Sequence, residues 1–173
     1  MIEIDEPITI TSYDATWPQL FEQEKPRLRS ALGDMAIDIQ HFGSTAIPNL
    51  AAKPIIDILI GLPLLELEAK QVEALKQIGY EYLGEAGVAG RLAFRKRHPH
   101  AFNLAVVQWR SQLWQDNILL RDYLRVHSQA VHRYEQHKYE LMRQGVSTLL
   151  KYSERKSTLI AELLAQARAW NDK

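Results

Sequence analysis

The sequence predicts an α+β fold: a mixed β-sheet with a helical C-terminal part. Strand-like and helix-like segments interleave over residues 1–109, and residues 110–173 read as helix almost throughout. The scale fits as well. The chain has 173 residues, 46% of them hydrophobic, with no repeat, low-complexity segment or clear linker. One domain over 1–173 with a sizeable core is expected.

The elements follow in order. Residues 8–13 alternate and predict an edge strand. Residues 14–32 predict a helix with Thr16 as N-cap and Pro18 where a missing N–H costs little. Leu20, Phe21, Glu24, Leu28 and Leu32 give its inward stripe, and Pro26 is expected to kink or end it. Ile37, Ile39 and His41 alternate with Asp38, Gln40 and Phe42, a strand running into Gly43-Ser44. Residues 55–60 are a β-branched central strand. Residues 63–78 predict a helix closed by Gly79. Strands follow at 80–83, 91–97 and 102–109. Gly84, Gly87 and Gly90 mark the first turn between them, and His98-Pro99-His100 the second. Helices are expected at 111–127, 128–144 and 153–170, the last with Leu159, Ile160, Leu163, Leu164 and Ala167 on one stripe.

Composition narrows the function. Cysteine is absent, which excludes disulfides, thiolate metal sites and a cysteine nucleophile. The 21 basic and 21 acidic residues cancel, so no whole-molecule field draws in a nucleic-acid backbone, and a nucleic-acid partner is not expected. No apolar run approaches the roughly 20 residues that span a bilayer. Residues 1–6 are acidic where a signal peptide is basic, so a cytoplasmic protein without a membrane partner is expected.

Residues 41–60 carry the chemistry. Gly43 lets the backbone turn and approach a ligand closely. Ser44 and Thr45 offer hydroxyls and amides suited to phosphate oxygens. Asp57 stands inside the next apolar strand, where a carboxylate is costly unless it is paired or holds a cation. Lys53 lies just before that strand and could supply the charge. The pattern alone leaves a plainer reading open, a Gly-Ser turn and an aspartate bonded to neighbouring backbone or an arginine.

His41-Phe-Gly-Ser-Thr-Ala-Ile-Pro48, followed by Lys53-Pro-Ile-Ile-Asp-Ile58, resembles the signature of the GrpB family. Tyr13-Asp14 with Trp17, Phe21 and Glu24-Lys25 resembles the family's opening. Arg121-Asp-Tyr-Leu124, Tyr134, Lys138, Tyr152 and Lys156 resemble its helical end. The resemblance implies a nucleotidyltransferase-like fold of the polymerase-β type. There a Gly-Ser pair binds phosphate, and carboxylates on two strands hold Mg²⁺. Gly43 and Ser44 match the pair, and Asp57 matches the second aspartate, which makes it the candidate catalytic and metal-binding residue. The first aspartate falls on Ile55, which cannot bind metal, and residues 102–107 offer no acid. One carboxylate cannot bridge two cations about 3.5–4 Å apart, which argues against ordinary two-metal transfer.

Strand alternation puts Arg91, Arg95 and Arg97 on one face, opposite Leu92 and Phe94. Guanidinium forks suit phosphate, although a solvated outer face explains them too. Of the six histidines, His41 is the one that could orient the Gly-Ser turn; a hydrogen-bonded core histidine is the alternative. Tyr123, Tyr134, Trp109 and Trp114 could line a pocket or simply fill the core. Arg121, Lys138 and Lys156 could reach the site from the helices, or form surface pairs such as Arg121–Asp122 and Glu135–Lys138.

Two functions are therefore expected to compete. One is nucleotidyl or phosphoryl transfer on a nucleotide or phosphorylated small molecule. Gly43, Ser44, Thr45, Lys53, Arg91 and Arg95 would hold phosphate, and Asp57 a Mg²⁺. The other is a non-catalytic nucleotide- or anion-binding module that has lost the two-metal carboxylate cluster. A scaffold that binds other proteins through the C-terminal helices is a third, weaker expectation.

Overall fold

The computed structural model describes residues 5–172, so the first four residues of the acidic opening read at 1–6 lie outside the described residues. Five strands form one mixed sheet: β1 (Asp38–Phe42), β2 (Ile56–Leu62), β3 (Glu81–Tyr82), β4 (Arg91–Lys96) and β5 (Phe102–Gln108). Their order is β1-β2-β5-β4-β3, with β2 and β5 parallel and the other neighbours antiparallel. Helices α1 (Trp17–Leu32) and α2 (Ala69–Gln77) belong to the interleaved part. Helices α3 (Gln112–Val126), α4 (Ser128–Arg143) and α5 (Leu149–Asn171) form the C-terminal part. The α+β expectation and its mixed sheet hold.

Alternation along the strands sorts the two faces of the sheet. Ile56, Ile58, Ile60 and Leu62 of β2, with Phe102, Leu104 and Val106 of β5, pack under Phe21, Leu28 and Leu32 of α1 and Leu75 of α2. Leu59, Ala105 and Val107 face the other way, against Trp114 of α3. Beyond them Ile47 and Leu50 pack into a cluster with Tyr123, Tyr134, Leu159 and Leu163, which fastens the three C-terminal helices to the loop after β1.

Several boundaries differ from the expectation. Residues 8–13 form no edge strand: the segment makes only isolated bridges, Thr11 with Ala52 and, just before it, Pro7 with Thr148. Their partners are loop segments, so no neighbouring strand extends a ladder. The first helix begins at Trp17, and its Thr16 makes no side-chain cap. Asp14 takes over locally, accepting from the Thr16 backbone N–H (2.8 Å) and hydroxyl (2.7 Å). Pro26 lies inside α1 without ending it, because the packing of Phe21, Leu28 and Leu32 holds the helix on both sides. The second helix starts at Ala69 rather than near residue 63, and α5 starts at Leu149, before residue 153.

Candidate functional site

The site is built on one rung across the sheet. Phe42 pairs with Asp57, Asp57 with Asn103, Asn103 with Arg95, and Arg95 with Glu81. Paired residues share a face, so this polar row stands on the side of α3–α5, among otherwise apolar neighbours. Arg91 and Ala93 alternate onto the same face of β4. The sheet, the turn after β1 and the C-terminal helices enclose a cavity of about 590 Å³.

Gly43, Ser44, Thr45, Lys53, Asp57, Arg91, Arg95 and Arg97 all line that cavity, so every site residue expected from the sequence converges on it. Gly43 has φ 69°, and a Cβ there would stand 2.6 Å from Asp57 Oδ2. The left-handed turn and the contact both require glycine. The chain then enters a single 3₁₀ turn, Ser44–Ala46, which aims Ser44 into the cavity. Asp57 is half-buried, and its Oδ1 accepts from Asn103 Nδ2 at 3.0 Å.

Thr45 departs from its expected role. It is buried, and its hydroxyl lies 2.9 Å from His41 Nε2, so it fixes the turn instead of offering a hydroxyl to phosphate. His41 is both core residue and orienter: it stacks on Phe21 at 5.2 Å and holds Thr45. Burial pushes its pKa down to about 4 against the pull of Asp57, with Arg125 and Arg121 adding to the depression. The ring is neutral near pH 7.

The helices contribute more than the sequence promised. Lys138 of α4 is 1% exposed. It donates to Ser44 Oγ (2.7 Å) and to the Ala51 carbonyl (2.8 Å), with its ammonium 4.2 Å from the Tyr134 ring centre. The expected Glu135–Lys138 pair does not form; Glu135 accepts from the Ala51 N–H instead. Arg121 of α3 bonds Asp122, and it also reaches Gln40 Oε1 (2.8 Å) and the His41 carbonyl (3.1 Å), bracing β1. Lys156 of α5 lies over the Tyr152 ring and lines the cavity. A period-3.6 pattern that puts Tyr134 and Lys138 one turn apart could have flagged this face, but charge alone could not tell it from a solvated one. Trp109 and Trp114 pack in the core, and Tyr123 does so elsewhere; Tyr134 lines the cavity.

Electrostatically the cavity is lopsided. Lys53, Arg91, Arg95, Arg97, Arg121, Lys138 and Lys156 line it, against one carboxylate, Asp57. Some of these cations are matched from the rim. Arg97 bonds Glu6 (2.6 and 3.0 Å) and Asn103, and Arg95 bonds Glu81 (2.7 Å). Arg91 donates to the Glu85 and Ala86 carbonyls, pinning the glycine-rich turn before β4. Lys53 and Lys138 have no carboxylate within ion-pair distance among the described residues. Burial pushes both ammonium groups down from the usual lysine value. Asp57 opposes this at Lys53, while Lys156 and Lys53 deepen it at Lys138.

The donor set does not fit two metal ions. Ile55 is a buried alkyl side chain, Asn103 occupies the partner position on β5 and engages Asp57, and the surrounding charges are positive. No group of three His, Cys, Asp or Glu side chains suited to a metal occurs among the described residues. No helix among them is long and apolar enough to cross a membrane.

Over residues 7–166 the chain matches the family described as GrpB protein. It is 34% identical over 164 residues to the UPF0157 protein YqkA of Bacillus subtilis, a match covering 94% of this chain and 48% of YqkA. The chain thus spans about half the length of that relative. The crystal structure of the conserved protein GrpB from Enterococcus faecalis is similar over 95% of this chain and 100% of that one, with TM-score 0.83 and 29% identity. The Cid1 poly(U) polymerase structure is similar over 76% of this chain and 43% of its own, with TM-score 0.50 and 14% identity, a likeness of fold alone. The architecture is nucleotidyltransferase-like, and the chain belongs to the GrpB family.

Proposed function

We propose that the cavity binds the phosphate groups of a nucleotide or phosphorylated small molecule. One observation carries this reading: seven basic side chains against a single carboxylate around one 590 Å³ space. Holding ammonium groups away from water without a carboxylate partner is costly, and a polyanion removes that cost. Lys53 is the principal anion ligand, because it is half-buried in the cavity and its ammonium has no hydrogen-bond or ion-pair partner among the described residues. Arg91 and Lys156 supply further charge, and Arg121 and Thr45 hold the turn that presents Ser44. A cavity of this size suits a small molecule rather than a folded nucleic acid. Phosphorylated metabolites are abundant in the cytoplasm, and we place the protein there.

Binding, rather than ordinary two-metal transfer, is the reading favoured by the single carboxylate. Nucleotidyl or phosphoryl transfer keeps support from the fold and from Asp57. A Mg²⁺ could enter only as a companion of ligand phosphates, with Asp57 as its protein ligand, since magnesium commonly combines one or two carboxylates with substrate oxygens. Calorimetric titration with pyrophosphate and with a nucleoside triphosphate, each with and without Mg²⁺, tests the reading. Binding of either polyanion without metal supports it. No binding of either under any condition refutes it, and product formation from the triphosphate would shift the assignment to transfer.

A further inference from the structure

Ser44 and Lys138 form an arrangement that anion binding does not explain. Oγ and Nζ are 2.7 Å apart. Both line the cavity, Ser44 half-buried and Lys138 at 1% exposure. A ligand in the cavity therefore meets the more exposed hydroxyl first, with the amine in contact beside it. Lys138 is aimed by two fixed groups, the Ala51 carbonyl at 2.8 Å and the Tyr134 ring at 4.2 Å. Ser44 is aimed by Gly43, whose φ of 69° leaves it at the head of the turn, and by the Thr45–His41 bond one residue on. A hydroxyl open to the cavity in contact with a positioned, nearly fully buried amine is the geometry of a serine–lysine dyad.

We propose that Ser44 is a nucleophile and Lys138 its general base, acting on a carboxylic ester whose alcohol part carries phosphate. The choice of substrate rests on the anion-binding reading: the phosphate sits against Lys53 and Arg91, and the acyl carbon meets Ser44. In the first step Oγ bonds the carbonyl carbon, the carbonyl π pair moves onto its oxygen, and the serine proton passes to Lys138 Nζ. The tetrahedral species collapses as the bond to the phosphorylated alkoxide breaks, and Lys138 returns the proton to that oxygen. Water then attacks the seryl ester, gives its proton to Lys138, and the carboxylic acid leaves as Ser44 recovers the proton. Nothing beyond ester and water is consumed. Burial first, then Lys156 and Lys53, hold the Lys138 ammonium well below its usual range, while Asp57 and Glu135 pull the other way, so the amine can accept a proton. The apolar part of the cavity wall, Leu120, Leu124 and Ile160, is where an acyl chain fits.

The test uses the whole chain and a fluorophosphonate, a phosphorus electrophile that serine nucleophiles displace with loss of fluoride. Mass spectrometry is expected to find one adduct, on Ser44, formed at least tenfold faster than on any other serine. The rate should rise with pH and level off at the Lys138 pKa. Ser44→Ala should abolish the adduct. Lys138→Arg keeps hydrogen-bond donors there but stays protonated and cannot act as a base; circular dichroism should show it folded and labelling should fall at least tenfold. Wild-type labelling no faster than Ser44→Ala, or labelling by Lys138→Arg at the wild-type rate, overturns the dyad. If Lys138→Arg fails to fold, the pH profile decides: a rate rising in simple proportion to hydroxide, without a plateau, overturns it. Pyrophosphate separates the two readings. Anion binding without labelling leaves the cavity reading and removes the dyad, whereas labelling that pyrophosphate does not slow keeps the dyad and removes the phosphorylated substrate.

Discussion

The two faces of the sheet treat buried charge in opposite ways. Under α1 and α2, Lys96 and Glu24 are each nearly fully buried and joined at 2.8 Å, and the Tyr80 hydroxyl donates to the same carboxylate oxygen at 2.9 Å. The Lys96 ammonium also lies 5.4 Å from the Tyr80 ring centre and 5.5 Å from that of Phe102. The two buried charges there are each other's partners. Under α3–α5, the half-buried Lys53 and the buried Lys138 have no carboxylate partner among the described residues, and their pKa values are depressed accordingly. Matched charge bolts α1 to β4. On the proposed reading, unmatched charge is what an anion from outside would satisfy.

That contrast breaks first at Glu24. Glu24→Leu leaves the Lys96 ammonium buried without its partner, and urea unfolding should show a loss of about 3–5 kcal/mol, the usual cost of removing one member of a buried pair. A loss below about 1 kcal/mol would mean that the pair is dispensable and the faces are not different in kind.

The next effect is pH. His41 carries a folded pKa of about 4 against 6.5 when unfolded. Between those values the unfolded chain binds the extra proton, so stability falls as pH drops from about 6.5 toward 4 and flattens below. The loss is about 3 kcal/mol, since each tenfold difference in proton affinity between the folded and unfolded chain is worth about 1.4 kcal/mol. Urea titrations across that range should show the slope, and His41→Gln should remove most of it. Smaller still, Gly43→Ala meets Asp57 Oδ2 and an unfavourable φ, and should cost about 1–3 kcal/mol while weakening polyanion binding. Unchanged stability would mean that the turn gives way easily and that its tight approach to Asp57 is not needed.

The sequence was informative where one local rule governs. Strand alternation placed Arg91 and Arg95 opposite Phe94, and the family motif placed Gly43, Ser44, Lys53 and Asp57 in one cavity. It was silent where long-range partners decide. Nothing local distinguishes Lys138, which reaches Ser44 across 94 positions, from an exposed helical lysine. Nothing local tells that the Thr45 hydroxyl is engaged by His41, or that Glu24, read as part of the inward stripe and of the family's opening, anchors Lys96 of β4 from α1. Residues 8–13 alternate like a strand, but a strand needs a neighbouring strand, and the fold supplies only Ala52 and Thr148.

On the proposed reading, Lys53 is held unmatched for an anion. Removing it should therefore cost no stability but much of the binding, the reverse of Glu24→Leu. Calorimetric titration of pyrophosphate into wild type and Lys53→Met, with urea unfolding of both, measures this directly. Wild type should bind with net proton uptake that grows at alkaline pH, as the anion raises a depressed lysine pKa, and its affinity should fall as pH rises through that pKa. Lys53→Met should bind at least tenfold more weakly and be as stable as wild type or up to about 1 kcal/mol more stable. Equal affinity in the two proteins, or a Lys53→Met variant destabilised by several-fold more than that, would contradict the account and make Lys53 a structural residue like Lys96.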